Sequence, residues 1–266
     1  MVSSPASIVI SEGVHAVRAA KVTGWQMVRA SLTRPYPVTW PMVALLGLVP
    51  WYIFIGVWAE ARRVHVPALR IDAFVPFAPV WGLVYGALYL FLILLPVFVV
   101  RHEPHIRRMF LAYLSVWVVS YIVFVLYPTG ASRPASVPGH GFAAWGLRTL
   151  YAADPPYNCF PSLHVAHSFV SAFACSRINR RVGVLAGMCA VLVAMSTLFA
   201  KQHYILDVIA GIALACIAHF VFLRSSPRDD VPQLDRRAAP AMTAAVAALV
   251  LVMTAGYWVV YRIVSV

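Results

Sequence analysis

The chain has 266 residues, of which 62% are hydrophobic and only 11% charged, against about 25% charged in an average soluble domain. A soluble domain of this length could not hide so much apolar surface, because surface grows too fast relative to volume. The formal charge of +12 does not point to nucleic acid, since the basic residues lie between apolar runs and no basic domain stands apart.

Residues 1–37 read as a cytoplasmic N-terminal segment carrying Arg18, Lys21, Arg29 and Arg34; the apolar stretch Ile8 to Ile10 is too short for a signal-peptide core. Seven apolar runs follow, at roughly 38–58, 75–100, 109–127, 162–176, 182–200, 203–223 and 240–263. Crossing a bilayer takes about 20 residues; the fourth run is short and carries His164 and His167. Trp40, Trp58, Tyr127 and Tyr261 lie near run ends, as interfacial anchors do. The expected fold class is all-α, a polytopic membrane helical bundle. Six spans over 38–223 form a core, 224–239 is a cytoplasmic loop, and 240–266 adds one extra C-terminal transmembrane helix.

Cys175, Cys189 and Cys216 lie inside apolar runs as small hydrophobes, and Cys159 lies in a loop. There is no CxxC pair to support a disulfide framework or a zinc knuckle. With a cytoplasmic N-terminus, 14 of the 21 Lys and Arg fall on the cytoplasmic side, which the positive-inside rule favours. The loop 128–161 and the starts of spans four and six then share the non-cytoplasmic face.

The unusual polar residues sit in those three places. In Lys201-Gln202-His203-Tyr204-Ile205-Leu206-Asp207, His203 and Asp207 are four apart and share a helical face. Asp207 alone among nine acidic residues lies inside an apolar run, where a carboxylate is costly and takes a partner. A carboxylate on one ring nitrogen sets the tautomer and leaves the other nitrogen as nucleophile or base; the bland alternative is a polar pair that joins helices. In Pro161-Ser162-Leu163-His164, Pro161 suits a first helical turn. Ser162 and the free amides of that turn form an anion site, with His164 beside it as a proton donor. His167, one turn on, reads as a packed core histidine. After span three, Arg133 is suited to bidentate phosphate contact. Together these are the parts needed for in-line phosphoryl transfer.

These motifs resemble those of the type 2 phosphatidate phosphatase superfamily, which includes vanadium haloperoxidases. Arg133-Pro134 looks like the end of its first motif and Pro161-Ser162-Leu163-His164 like its second. Ser196-Thr197, His203 and Asp207 match its third in spacing. The resemblance covers about residues 75–223. The family's first-motif Lys falls on Leu126, its second-motif Gly on Leu163 and its third-motif Arg on Thr197. Phe-Pro-Ser-Leu-His with Lys-Gln-His-Tyr looks like the branch related to inositol phosphorylceramide synthases, which moves phosphorylated headgroups between lipids. The resemblance implies a lipid phosphatase or phosphotransferase with a lipid phosphate substrate in the bilayer, an alcohol as a potential acceptor, and no metal or other cofactor. His203 would form a phosphohistidine, Asp207 would orient it, and His164 would be the acid and base. Arg133 and Ser162 would hold phosphate oxygens, with Lys201 as a helper for the missing cations.

Three other readings compete. His164, His167, His203 and Asp207 could ligate zinc, although there is no HExxH. A serine hydrolase using Ser162 lacks GxSxG. A transporter or lipid-binding scaffold would use Asp207 as an ion or proton site.

Overall fold

The computed structural model describes residues 24–26, 29, 45–226 and 229–264, and the expected N-terminal segment 1–37 lies almost wholly outside them. Among the described residues every extended regular element is a helix, in keeping with an all-α polytopic bundle. In chain order these are α1 (Val49–Glu60), α2 (Val80–Val99), α3 (Glu103–Leu126), α4 (Phe142–Ala153), α5 (Leu163–Ile178), α6 (Arg180–Phe199), α7 (Ile205–Ala218) and α8 (Gln233–Val264). α7 continues into a π-helical turn, His219–Leu223.

The helix starts follow local chemistry. Proline stands in the first turn of α1 and α3, where its missing N–H costs nothing. The Ser162 side chain accepts from the Val165 amide to cap α5, and Asn179 caps α6 through the Arg181 and Val182 amides. Among the described residues five helices are long and apolar enough to cross a membrane: α2, α3, α6, α7 with its π turn, and α8. Of the expected first span, the described helix covers only Val49–Glu60.

The expected fourth span is α5, with 16 residues. It is the central helix, packed against α2, α3, α6 and α7. Its buried Ala166, Ser168, Ser171, Ala172 and Ala174 let those neighbours approach closely. Helices around it expose Val118, Ile122, Val184, Met188, Leu251 and Val252, the surface that a hydrocarbon solvent would cover.

Two boundaries differ from the sequence reading. α8 begins at Gln233, earlier than the apolar run at 240, so the expected loop 224–239 is shorter. Its first two turns are polar and helical, with Asp235 in the first turn; hydropathy reports the apolar stretch, not the helix end. α7 begins at Ile205, so His203 precedes the helix instead of lying on it.

Candidate active site

Three stretches of connecting chain meet at one end of the bundle. The His65 amide donates to the Pro128 carbonyl at 2.8 Å, the Gly130 amide to His65 at 2.9 Å and the Ala131 amide to Pro156 at 3.0 Å. Thr129 Oγ1 accepts from the amides of Cys159 and Phe160 at 3.1 and 2.9 Å. The 128–134 loop is thereby pinned against the segment that leads into α5. The Ser162 amide donates to the Asp207 carbonyl at 3.0 Å, joining the start of α5 to the start of α7. α7 comes this close because Gly211 faces Ser162: a Cβ there would lie 2.6 Å from the Ser162 carbonyl oxygen.

These contacts bring the candidate histidines together. His203 Nε2 lies 3.5 Å from His164 Nδ1. His203 Nδ1 lies 3.4 Å from Asp207 Oδ2, an ion-pair separation longer than a good hydrogen bond. Asp207 is fully buried, and the same Oδ2 accepts from the Tyr204 amide at 2.8 Å. The carboxylate is thus held by backbone and faces the imidazole although His203 stands ahead of the helix. Each histidine has one nitrogen facing a carboxylate and the other facing its partner ring.

The second carboxylate is Asp154, which the sequence reading missed. Its Oδ2 lies 4.0 Å from His164 Nε2, and its Oδ1 accepts from the Tyr52 hydroxyl at 3.0 Å. No periodicity links Asp154 to His164. The available signal was that Asp154 is the one acidic residue in the loop 128–161. His164 is further enclosed edge-on by the rings of Tyr52, Tyr85 and Tyr89. His167 stacks on Tyr113 with ring centroids 4.4 Å apart, the packed role expected of it.

The remaining candidates are engaged with other partners near the histidines. Arg133 is half-buried, stacks over the Tyr151 ring at 4.3 Å and donates to the Tyr151 carbonyl at 3.2 Å. It also donates to the Gln202 side chain, immediately before His203. Burial lowers its pKa from the usual arginine value, opposed by Asp154; a guanidinium remains charged. Burial pushes the Tyr151 hydroxyl up to about 12, so it is neutral. Ser162 is fully buried, and its oxygen is used as the α5 cap. Lys201 has a positive φ of 50° and donates from Nζ to the Val75 carbonyl at 2.6 Å. With Ser132, His203 and Tyr204 it lines a cleft of about 10 Å³, the size of one water at most. Among the described residues no three His, Cys, Asp or Glu side chains converge as metal ligands do.

A second and much larger cavity, about 730 Å³, opens beside His164. It runs past His167, Tyr113 and Trp117 towards Leu94 and Phe98 on α2. Its walls are mainly apolar side chains.

With that geometry in view, the model of the PAP2 superfamily matches residues 68–221. The chain belongs to the PAP2 superfamily. The match spans all the candidate PAP2 residues from Arg133 to Asp207 and leaves α1 and α8 outside. A PA-phosphatase related-family protein of Dictyostelium discoideum is 24% identical over 137 residues. That match takes in 47% of this PAP2 chain and 25% of the relative, so it spans about a quarter of the relative's length. No solved structure matches.

Proposed function

We propose that this chain is an integral membrane enzyme that hydrolyses or transfers a lipid phosphate ester through a phosphohistidine on His203. The observation that carries the reading is the carboxylate–imidazole–imidazole–carboxylate series Asp207, His203, His164, Asp154. Asp207 on Nδ1 fixes the His203 tautomer and leaves Nε2 with a free lone pair. Nε2 attacks phosphorus, and the bond to the leaving oxygen breaks. His164, protonated on Nδ1 and held through Nε2 by Asp154, gives that oxygen its proton. In the second half His164 takes a proton from water or an alcohol, whose oxygen attacks phosphorus. The P–N bond breaks and its electron pair returns to His203. Arg133 balances charge on the equatorial oxygens, and Ser162 and Lys201 assist once they exchange their present partners, the Val165 amide and the Val75 carbonyl.

Substrate must part the two rings. A near-attack N···P distance of about 3–3.5 Å, the P–O bond beyond it and a hydrogen bond of about 3 Å to the leaving oxygen place the nitrogens roughly 6–8 Å apart. The contact of 3.5 Å is shorter than that separation, so the rings move apart when a phosphate ester binds between them. The 730 Å³ apolar cavity beside His164 supports a lipid substrate, because a hydrocarbon chain there stays out of water while its phosphate reaches the histidines. The excess of Lys and Arg on one side supports a cytoplasmic N-terminus and a site on the non-cytoplasmic face. The same division supports a core over 38–223 followed by one further span.

The test is to offer purified protein phosphatidate, polyprenyl diphosphate and phosphoinositol lipids, each with and without an alcohol acceptor, and to follow free phosphate and new lipids. Phosphate release alone identifies a phosphatase, and acceptor-dependent new lipid identifies a transferase. A folded protein that yields neither from any substrate contradicts the proposal.

A further inference from the structure

At the end of α5 remote from the histidines there is a second polar cavity, about 410 Å³. Four arginines line it: Arg177 at the end of α5, Arg180 and Arg181 at the start of α6, and Arg236 in the first turn of α8. Arg177 follows His164 by 13 positions, about 20 Å along a helix, and this cavity shares no lining residue with the one beside His164.

The basic cavity is rigidly built. α5 and α6 join through the single residue Asn179, whose Oδ1 caps α6 and whose Nδ2 donates to the Arg236 carbonyl at 3.0 Å. Gly183 allows this turn, since a Cβ there would lie 2.4 Å from Ser176 Cα. Arg177 is fixed by donating to the carbonyls of Arg224 and Ser226, each at 2.6 Å. Arg236 lies 3.8 Å from Asp229, itself fully exposed. Arg180 and Arg181 are exposed at the rim. Three elements thus concentrate guanidinium charge in one concavity, at the positive end of the α6 dipole.

The outer surface of α6 says which anion fits. Directly beyond the arginines it exposes Val184, Leu185, Met188 and Val191. A soluble anion has no use for that face; a lipid uses both, with its headgroup in the cavity and its chains along the helix. Basic pockets between membrane helices bind anionic headgroups on this principle.

We propose that the cavity of Arg177, Arg180, Arg181 and Arg236 binds the phosphate of an anionic membrane lipid whose acyl chains lie on the exposed face of α6. This site does not depend on the chemistry assigned to His203. The test is native mass spectrometry of the detergent-solubilised full chain, titrated with phosphatidylglycerol and with phosphatidylcholine. The wild type should retain phosphatidylglycerol in preference. Arg180→Gln with Arg181→Gln should bind it about thirtyfold more weakly, from roughly 1 kcal/mol per arginine. Arg62→Gln with Arg63→Gln, on the loop after α1, removes the same charge and should leave binding unchanged. Arg236→Gln reaches the cavity from another helix and repeats the measurement if the first pair disturbs folding. Equal retention by the wild type and the cavity variants overturns the proposal. So does displacement of the lipid by low-millimolar inorganic phosphate, which would make a free anion the occupant.

Discussion

His203 and His164 are 39 residues apart in sequence and 3.5 Å apart in space, nitrogen to nitrogen. His164 lies in the first turn of α5, and His203 stands just ahead of α7. The juxtaposition depends on the Ser162 amide donating to the Asp207 carbonyl and on Gly211 permitting that approach. The chemistry and the packing of this end of the bundle are therefore one problem, and substitutions can separate them.

His203→Ala should reduce turnover to background, because no other imidazole takes its place beside Asp207. His164→Ala should lower kcat by about 10²–10⁴, the usual contribution of a positioned acid and base. Helical circular dichroism and thermal unfolding should be little changed in both. Normal turnover in either variant removes that residue from the reaction.

Asp154 should act as a positioning residue for His164. With the Asp154 carboxylate 4.0 Å from His164 Nε2 and anchored by Tyr52, Asp154→Asn keeps the shape and removes the charge. Steady-state kinetics should show kcat reduced about tenfold with KM little altered, and Asp154→Glu should restore part of the loss. A change in KM alone would place Asp154 in substrate binding instead.

Gly211→Ala should destabilise the protein by about 1–3 kcal/mol, the cost of overpacking, because the new methyl meets the Ser162 carbonyl at 2.6 Å. Activity should fall as well, since relief of the clash moves the α5 start away from His203. Gly86→Ala on α2 is the control: a Cβ there meets nothing within 4 Å, and helix propensity favours Ala. Thermal unfolding in detergent distinguishes the two, and equal melting temperatures would contradict the packing argument.

Five of the seven expected spans and the His203–Asp207 pair were legible in the sequence because both rest on local pattern. An apolar run needs no partner to be recognised, and a spacing of four places two side chains together almost wherever the helix begins. His203 shows how forgiving this is: it precedes α7 and still faces Asp207. Asp154 and Gln202 were not legible. Asp154 follows α4 and reaches His164 across the proline-containing segment 155–162, and Gln202 meets Arg133 across the bundle mouth. Such contacts are set by loop paths, for which composition holds no rule. The start of α8 was missed for a different reason, since its first turns are polar and only its later turns are apolar.

Cys159, buried beside the site, offers a check on the packing there. Burial raises its thiol pKa well above the ordinary value, with Asp207 adding to the rise. The folded protein therefore holds a neutral, inert thiol at pH 8, and the thiolate forms only on opening. Iodoacetamide labelling followed by peptide mapping should leave Cys159 unmodified in the native protein and modify it in denaturant. Rapid native labelling would show that the 128–161 loop does not cover this region.

The most direct measurement is rapid quench of the purified enzyme during turnover of a lipid substrate labelled in the phosphate, followed by peptide mapping under alkaline conditions that preserve phosphohistidine. The expected result is phosphate on His203, absent in His203→Ala and formed more slowly in His164→Ala, which has lost the acid of the first step as well as the base of the second. Turnover with no phosphorylated histidine, or with the label on another residue, would contradict the assignment of His203 as nucleophile.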